Sequence, residues 1–585
     1  MRTKKKPFEG GIERRITWVL LFFLILFSLL FGRLFALQIV DHKKYESMAA
    51  RQHNVSEEIL PERGSIFMQD KYGTLIPVAL NKIQKNLIAM PSRVQDKESA
   101  AQMLSEEFGI KKDILLPKLS KENDFYEIIA KKIDLEKAEE LIQKLPDGFT
   151  FEEEERRVYP HGELASSIIG FVSMEEDREI GRYGVERERE RDLSGSKGFL
   201  EGAKDASGFL VALGRRILNP PTDGSEIILT LDFNIQKKAE EILEDVVKKW
   251  KPISGMALVM DPKTGKILAE AVRPGFNPNE FSKEKDFSVF LNPLAESTYE
   301  LGSVLKPLTM AGAIEERVVG PKSTYEDLGF AKIGGYTIRN FDNKAHGVQT
   351  MTQVIEDSLN TGMVYVSKLL GQEKHLNYLK KFGLGEKTDI DLPGEVSGNI
   401  SNLEFGREID FATASFGQGI ALTPMQTARA IGALANGGVL MRPFVVEKIR
   451  DDSGGETVTE TGTQGQVVSK ETAEEMTKML VSTVRLGFEN KARIKGYFVA
   501  GKTGTAQVPR KDGKGYSDKV IHTFVGYAPA FNPRFLVMLQ MNEPQGNRFA
   551  ANTLTPAFHD LAEYILNYYE IPPDEVMNPE SGVGN

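Results

Sequence analysis

The chain has 585 residues, 41% of them hydrophobic, no cysteine, seven histidines and a net charge of −9. The lack of cysteine excludes disulfide scaffolds, thiolate zinc sites, iron–sulfur clusters and cysteine nucleophiles, and the acidic balance argues against nucleic-acid binding. Its 53 Gly and 27 Pro are ordinary usage, which excludes collagen-like and low-complexity chains, and the apolar content suffices for at least one large core.

Residues 1–15 carry Arg2, Lys4, Lys5, Lys6, Arg14 and Arg15 against Glu9 and Glu13. Residues 16–31 are sixteen positions without a charge, and after Gly32-Arg33 the apolar character resumes to Val40. Sixteen is short of the ~20 residues a span needs, but Arg33 can snorkel and the run to Val40 completes the crossing. A secretory signal has a shorter core followed by small residues; here bulky Phe, Arg and Leu follow. The reading is an uncleaved anchor over 16–40, with 1–15 in the cytoplasm and everything after Val40 outside.

Residues 41–60 are polar and helix-compatible, a stalk. From Arg63 to Trp250, short strand-like runs mix with charged helices. Lys, Glu and Asp at helical spacing over 111–145 predict solvated helix faces, and EEEERR at 152–157 predicts a charged surface face. Glycines in 181–198 mark turns. The loop 219–224 precedes the strand EIILTLD, an amphipathic helix follows over 234–250, and Pro252 marks a boundary. Residues 255–260 and 267–271 predict two strands joined by a Pro/Asp/Gly turn at 261–265. Helices and strands continue to about Tyr569, and 571–585, rich in Pro and Gly, predicts a disordered tail. No internal repeat is visible.

Gly496-Tyr-Phe-Val-Ala-Gly501-Lys502-Thr503 matches the P-loop pattern letter for letter. A P-loop is a flexible loop that opens a helix. Here the interior reads as strand, and Gly504-Thr505-Ala-Gln-Val-Pro509 is no helix start, so nucleotide hydrolysis is discarded. Ser303-Val-Leu-Lys306 puts a hydroxyl and an amine on one helix face, one way to activate a serine. Ser-x-x-Lys also occurs at Ser194/Lys197 and Ser282/Lys285. Only the third copy enters an apolar run, 308–314, where burial lowers a lysine toward a usable base. Pro307 fits only near the helix start. Ser-x-Asn occurs at Ser358/Asn360 and Ser397/Asn399, and Lys-Thr-Gly at 263–265 and 502–504. The first Lys-Thr-Gly is the predicted hairpin turn. The second follows a strand, and the glycines on either side of Lys502-Thr503 let a ligand lie against its backbone.

Order resolves the ambiguity. Ser303-x-x-Lys306, Ser358-x-Asn360 and Lys502-Thr-Gly504 form the triplet of the penicillin-recognising serine enzymes. Tyr299-Glu-Leu-Gly-Ser303-Val-Leu-Lys-Pro307 resembles the nucleophile segment of class B penicillin-binding proteins, which usually has Pro at the position of Leu301. Also similar are Arg63-Gly-Ser-Ile66, Tyr159-Pro-x-Gly162 with Ile169-Gly170, and Gly181-Arg-Tyr-Gly184-Val-Glu186 leading to Leu193-Ser-Gly195. Phe416-Gly-Gln-Gly419 with Leu422-Thr-Pro424, and Phe524-Val-Gly-Tyr-Ala-Pro529, match as well. The resemblance covers the chain from the anchor to about residue 565. It departs at Met68-Gln-Asp-Lys-Tyr-Gly73, where the family usually shows an Asp-Arg-Asn-Gly turn.

The resemblance implies an α/β chain with a single transmembrane helix, a mixed α+β pedestal and a β-lactamase-like transpeptidase domain of antiparallel sheet flanked by helices. The implied division is a cytoplasmic basic tail (1–15), anchor (16–40), pedestal or dimerisation-type module (41–250), transpeptidase domain (251–570) and disordered tail (571–585). It further implies a peptidoglycan D,D-transpeptidase: Ser303 attacks the penultimate D-Ala carbonyl, Lys306 takes its proton, Ser358 relays a proton to the leaving D-Ala and Asn360 holds the substrate amide. Lys502, Thr503 and Thr505 bind the terminal carboxylate, Gly504 completes that motif, and backbone N–H groups of Ser303 and Thr505 form the oxyanion hole. No metal or organic cofactor is implied. Implied partners are stem peptides ending in D-Ala-D-Ala, β-lactams, a SEDS-type glycosyltransferase, and division or elongation proteins. The competing readings are a membrane-anchored serine β-lactamase, for which Glu395 is the candidate deacylating base, and a non-catalytic penicillin sensor or scaffold. A sensor needs a cytoplasmic output domain that fifteen residues do not supply.

Overall fold

The computed structural model describes residues 10–43, 54–121, 124–175, 178–203, 216–487, 491–510 and 515–574. The chain divides into two units. The smaller comprises 1–61 and 195–223. In it, helix Gly10–Phe35 continues as a single π-helical turn, Ala36–Val40. Arg15–Val40 is long and apolar enough to cross a membrane. Asn54–Ile59 pairs antiparallel with Gly198–Ala203, which pairs with Arg216–Asn219. The segment read as a helix-compatible stalk therefore ends in a strand whose partner is remote in sequence. Residues 44–53 and 575–585, parts of the expected stalk and tail, lie outside the described residues.

The larger unit comprises 62–194 and 224–585. Its first part is built on the long strand Leu75–Ala89, which pairs antiparallel with Ile66–Gln69, Glu127–Ile133 and Phe149–Val158. Helices Lys97–Phe108, Lys112–Leu119 and Leu135–Ile142 turn Leu104, Leu115 and Leu141 onto its core. The charged stretch 111–145 is thus two helices with a strand between them.

The charge run 152–157 departs from expectation at its end. A strand alternates its faces, and Arg157 turns inward, where its side chain and that of Glu186 are fully buried. Glu186 accepts from Arg157 Nε (2.7 Å) and from Arg63 Nη2 (2.7 Å). Arg63 also bonds Glu190 at 2.7 Å, and Tyr159 Oη donates to Glu186 at 3.1 Å. Two glycines let the backbone close around this hub: a Cβ on Gly64 would lie 1.9 Å from Ser225 O, and one on Gly184 (φ +56°) would lie 2.2 Å from Ile168 O. Arg63-Gly64 and Gly184-Val-Glu186, motif letters in the sequence, are one buried ion-pair knot.

Ile66–Gln69 also pairs parallel with Glu226–Asp232, and that strand pairs with Val446–Arg450. Asp232 caps the next helix, α1 (Phe233–Trp250), accepting from the Asn234 and Ile235 N–H groups. Strands β1 (Ser254–Met260) and β2 (Ile267–Arg273) form the expected hairpin, its turn closed by Gly265 at φ +84°. After α2 (Lys306–Glu315) and α3 (Asn360–Leu370) come β3 (Ala500–Pro509), β4 (Tyr516–Ala528), β5 (Phe535–Asn542) and α4 (Ala550–Tyr568). The five strands make an antiparallel sheet in the order β2-β1-β5-β4-β3. One face buries Met256, Leu258 and Met538 with Val304 and Leu308; the other buries Ala257, Val259 and Phe524 with Ile235, Ala239 and Phe558 of α1 and α4. Helix α1, placed before the boundary at Pro252, packs on the sheet that follows it. β3 is an edge strand, and the segment before α2 packs against it.

Candidate active site

Ser303 lies in a 3-10 turn, Gly302–Leu305, that becomes α2 at Lys306. Pro307 stands in the first turn, where no helical partner for its missing N–H is needed. Gly302 adopts φ +67°, and its N–H donates to Gly417 O at 3.1 Å. The turn presses against β3: a Cβ on Gly504 would lie 2.6 Å from Leu301 O, and one on Gly302 would lie 3.0 Å from Ala506 Cβ. The glycine of Lys-Thr-Gly therefore makes room for the chain's own nucleophile turn, where the sequence suggested a ligand.

Ser358 sits between helix Met351–Glu356 and α3 at φ +55°, a left-handed conformation that costs a non-glycine residue of order 1–2 kcal/mol. The strain places its hydroxyl between two lysines, 3.1 Å from Lys306 Nζ and 3.0 Å from Lys502 Nζ. Lys306 Nζ also donates to Ser358 O (2.5 Å) and Asn360 Oδ1 (2.9 Å). Asn360 Nδ2 donates to Arg339 O at 3.0 Å, and Lys502 Nζ to Thr503 O at 3.1 Å.

Both lysines are buried, and among the described residues neither has a carboxylate ion-pair partner. Burial, then the nearby charge of Lys502, holds the Lys306 ammonium well below its ordinary 10.5. Burial lowers Lys502 to about 7. A neutral Lys306 would spend its two N–H groups on Ser358 O and Asn360 Oδ1, leaving its lone pair toward Ser358 Oγ at 3.1 Å. Among the described residues no hydrogen bond joins Lys306 to Ser303.

Ser303, Ser358, Asn360, Thr503 and Thr505 line one cleft of about 470 Å³, together with Arg339, Gln418, Arg548 and Phe549. Lys306 and Lys502 do not line the cleft themselves; they meet it through Ser358, whose hydroxyl contacts both amines. Thr505 Oγ1 accepts from Ala550 N at 3.2 Å, at the start of α4, so its own proton is free to donate into the cleft. Tyr516 Oη donates to Glu300 at 2.9 Å and ties β4 to the nucleophile segment.

The other sequence candidates lie elsewhere. Lys263 donates to Asn532 at 2.5 Å on the surface turn, and Asn399 Oδ1 accepts from Ser401 N and Oγ. No helix follows Lys502-Thr503, because both lie inside β3. Glu395 does not line the cleft: Oε1 accepts from Thr388 N and Oγ1, and Oε2 from Asp389 N. Sequence reasoning missed Arg339, which acts through its backbone carbonyl and so leaves no side-chain signature. It also missed Arg548 and Phe549, which sit outside the motifs, and gave no role to Gln418, which lies inside the quoted Phe416-Gly-Gln-Gly419.

Residues 255–563 match the penicillin binding protein transpeptidase domain model, and residues 58–229 match the penicillin-binding protein dimerisation domain model. The chain is 34% identical to stage V sporulation protein D of Bacillus subtilis, covering 93% of this chain and 84% of that one. It is 31% identical to the probable peptidoglycan D,D-transpeptidase PenA of Neisseria gonorrhoeae, covering 98% and 95%. Among solved structures it is similar to penicillin binding protein 2X of Streptococcus thermophilus, with TM-score 0.72, 25% identity and coverage of 90% and 82%. It is also similar to penicillin binding protein 3 of Mycobacterium tuberculosis complexed with aztreonam, with TM-score 0.69, 25% identity and coverage of 88% and 98%.

Proposed function

The chain belongs to the class B penicillin-binding proteins, and we propose that its reaction runs through Ser303, with Lys306, Ser358, Asn360, Lys502, Thr503, Gly504 and Thr505 around it. The protein is a peptidoglycan D,D-transpeptidase, a serine acyltransferase that takes stem peptides and β-lactams. The observation that carries the residue assignment is the single hydroxyl of Ser358 held within 3.1 Å of two buried lysines beside Ser303.

In the first half-reaction Ser303 Oγ bonds to the carbonyl carbon of the penultimate D-Ala, and its proton passes to the Lys306 lone pair. The backbone N–H groups of Ser303 and Thr505 take the oxyanion; one such donor is typically worth about 3–4 kcal/mol. The second hydrogen on Asn360 Nδ2 is available to the substrate amide. Lys502 and the hydroxyls of Thr503 and Thr505 receive the terminal carboxylate, whose charge restores the ammonium that burial disfavours. The C–N bond then breaks, and the proton travels from Lys306 through Ser358 Oγ to the departing D-Ala amine. In the second half-reaction an amine of another stem peptide attacks the ester and gives up a proton, and Ser303 Oγ leaves reprotonated.

The apolar stretch 16–40 crosses the membrane once in this reading, with 1–15 in the cytoplasm and the catalytic domain outside; the basic cluster before the apolar run supports that orientation. The module over 41–250 is the pedestal. A SEDS-type glycosyltransferase and division or elongation proteins are its partners, because a cross-linker acts where new glycan is made.

Full-length protein in membranes tests the reading with a fluorescent penicillin. Wild type should hold the label stably, and Ser303→Ala should not label. Glu395→Gln should hold the label as long as wild type, since its carboxylate is bonded to Thr388 and Asp389 and does not line the cleft. Rapid loss of label by wild type, abolished in Glu395→Gln, would establish a β-lactamase instead.

A further inference from the structure

Between the two catalytic segments the chain forms two small antiparallel pairs, Thr324–Asp327 with Gly347–Thr350 and Phe330–Ile333 with Tyr336–Arg339. At their base lies Asp327, a carboxylate only 1% exposed and without an ion-pair partner among the described residues. A buried carboxylate is costly unless donors surround it, and here four do. Oδ1 accepts from Thr361 Oγ1 (2.8 Å) and Gly329 N (2.9 Å). Oδ2 accepts from Asn340 Nδ2 (2.8 Å) and His346 N (3.0 Å). Asn340 Oδ1 in turn accepts from Thr361 N at 3.2 Å.

These partners flank one bond of the catalytic centre. Asn340 follows Arg339, whose carbonyl accepts from Asn360 Nδ2; Thr361 follows Asn360 itself. The bond from Nδ2 to Arg339 O decides which way the Asn360 amide faces. In this orientation Oδ1 receives an N–H of Lys306 at 2.9 Å. In the flipped orientation an N–H would face the amine and compete for the lone pair that must take the Ser303 proton.

We propose that Asp327 is a positioning residue for catalysis: it clamps Asn340 and Thr361, holds the Arg339 carbonyl against Asn360, and so keeps the Lys306 lone pair free for Ser303. The proposal rests on the roles assigned above to Asn360 and Lys306.

The test is the acylation rate constant of the full-length chain with a penicillin, measured against pH, together with the melting temperature. Asp327→Asn keeps the shape but sets an NH₂ among donors; it should slow acylation roughly 10–100-fold, since small misplacements of catalytic groups cost that much. Its acidic limb should move to higher pH, as water reaching a loosened Asn360 resolvates the Lys306 ammonium. In an Asn360→Ala background, Asp327→Asn should add little. Thr361→Val removes one donor and should slow acylation in the same direction, by less and with little change in melting, so the test survives if Asp327→Asn does not fold. Wild-type acylation by both variants, or an equal slowing in the Asn360→Ala background, would overturn the proposal. Wild-type acylation by Asn360→Ala would overturn the catalytic assignment, and the proposal with it.

Discussion

Lys306 and Lys502 lie on either side of one serine hydroxyl and divide two tasks by their surroundings. Lys306, desolvated and facing a second cation, has its ammonium form disfavoured, which suits it to the base role proposed for it. Lys502, lowered to about 7, keeps enough basicity to be recharged by a substrate carboxylate. Acylation should therefore fall at low pH, as Lys306 becomes protonated, and at high pH, as Lys502 loses its proton. Lys306→Arg keeps a charge that stays protonated. It should acylate about as poorly as Lys306→Ala, on the order of 10²–10⁴-fold below wild type in stopped-flow quenching; near-normal acylation by the arginine variant would move the base elsewhere, with Ser358 the next candidate. The i, i+3 spacing and the apolar run after Lys306 made its burial legible. The Arg339 carbonyl was not, because a backbone acceptor has no letter.

At the scale of elements, local patterns read helices and hairpins and misread long-range pairing. The β1–β2 hairpin and the helix α1 follow from turn chemistry and amphipathic spacing. Strands Asn54–Ile59 and Glu127–Ile133 exist because distant strands pair with them, and Arg157 is buried because Glu186, remote in sequence, needs a partner. That knot makes a prediction. Removing one partner of a buried ion pair strands the rest, at about 3–5 kcal/mol. Glu186→Gln should lower the urea midpoint correspondingly, because Arg63 and Arg157 stay charged. Burial opposes the Glu186 charge, but its two arginines prevail and hold its pKa below 4.5. Its contribution is present above the unfolded carboxylate pKa and is lost as pH falls through the folded value. The stability gap between wild type and Glu186→Gln should therefore narrow in acid.

At the scale of the molecule, the architecture was legible because three weak motifs occur in one order, and that order specifies a family where no single motif does. The sequence places a domain boundary at Pro252, yet α1 packs on the following sheet, and Ile66–Gln69, Glu226–Asp232 and Val446–Arg450 share another sheet. A local Pro signal marks a loop; it carries no information on which core the preceding helix joins. The account turns on one atom, Ser303 Oγ. Full-length protein acylated with a penicillin, digested and read by mass spectrometry should carry the adduct on the peptide that contains Ser303; an adduct on Ser194 or Ser282, or on no peptide at all, would contradict it.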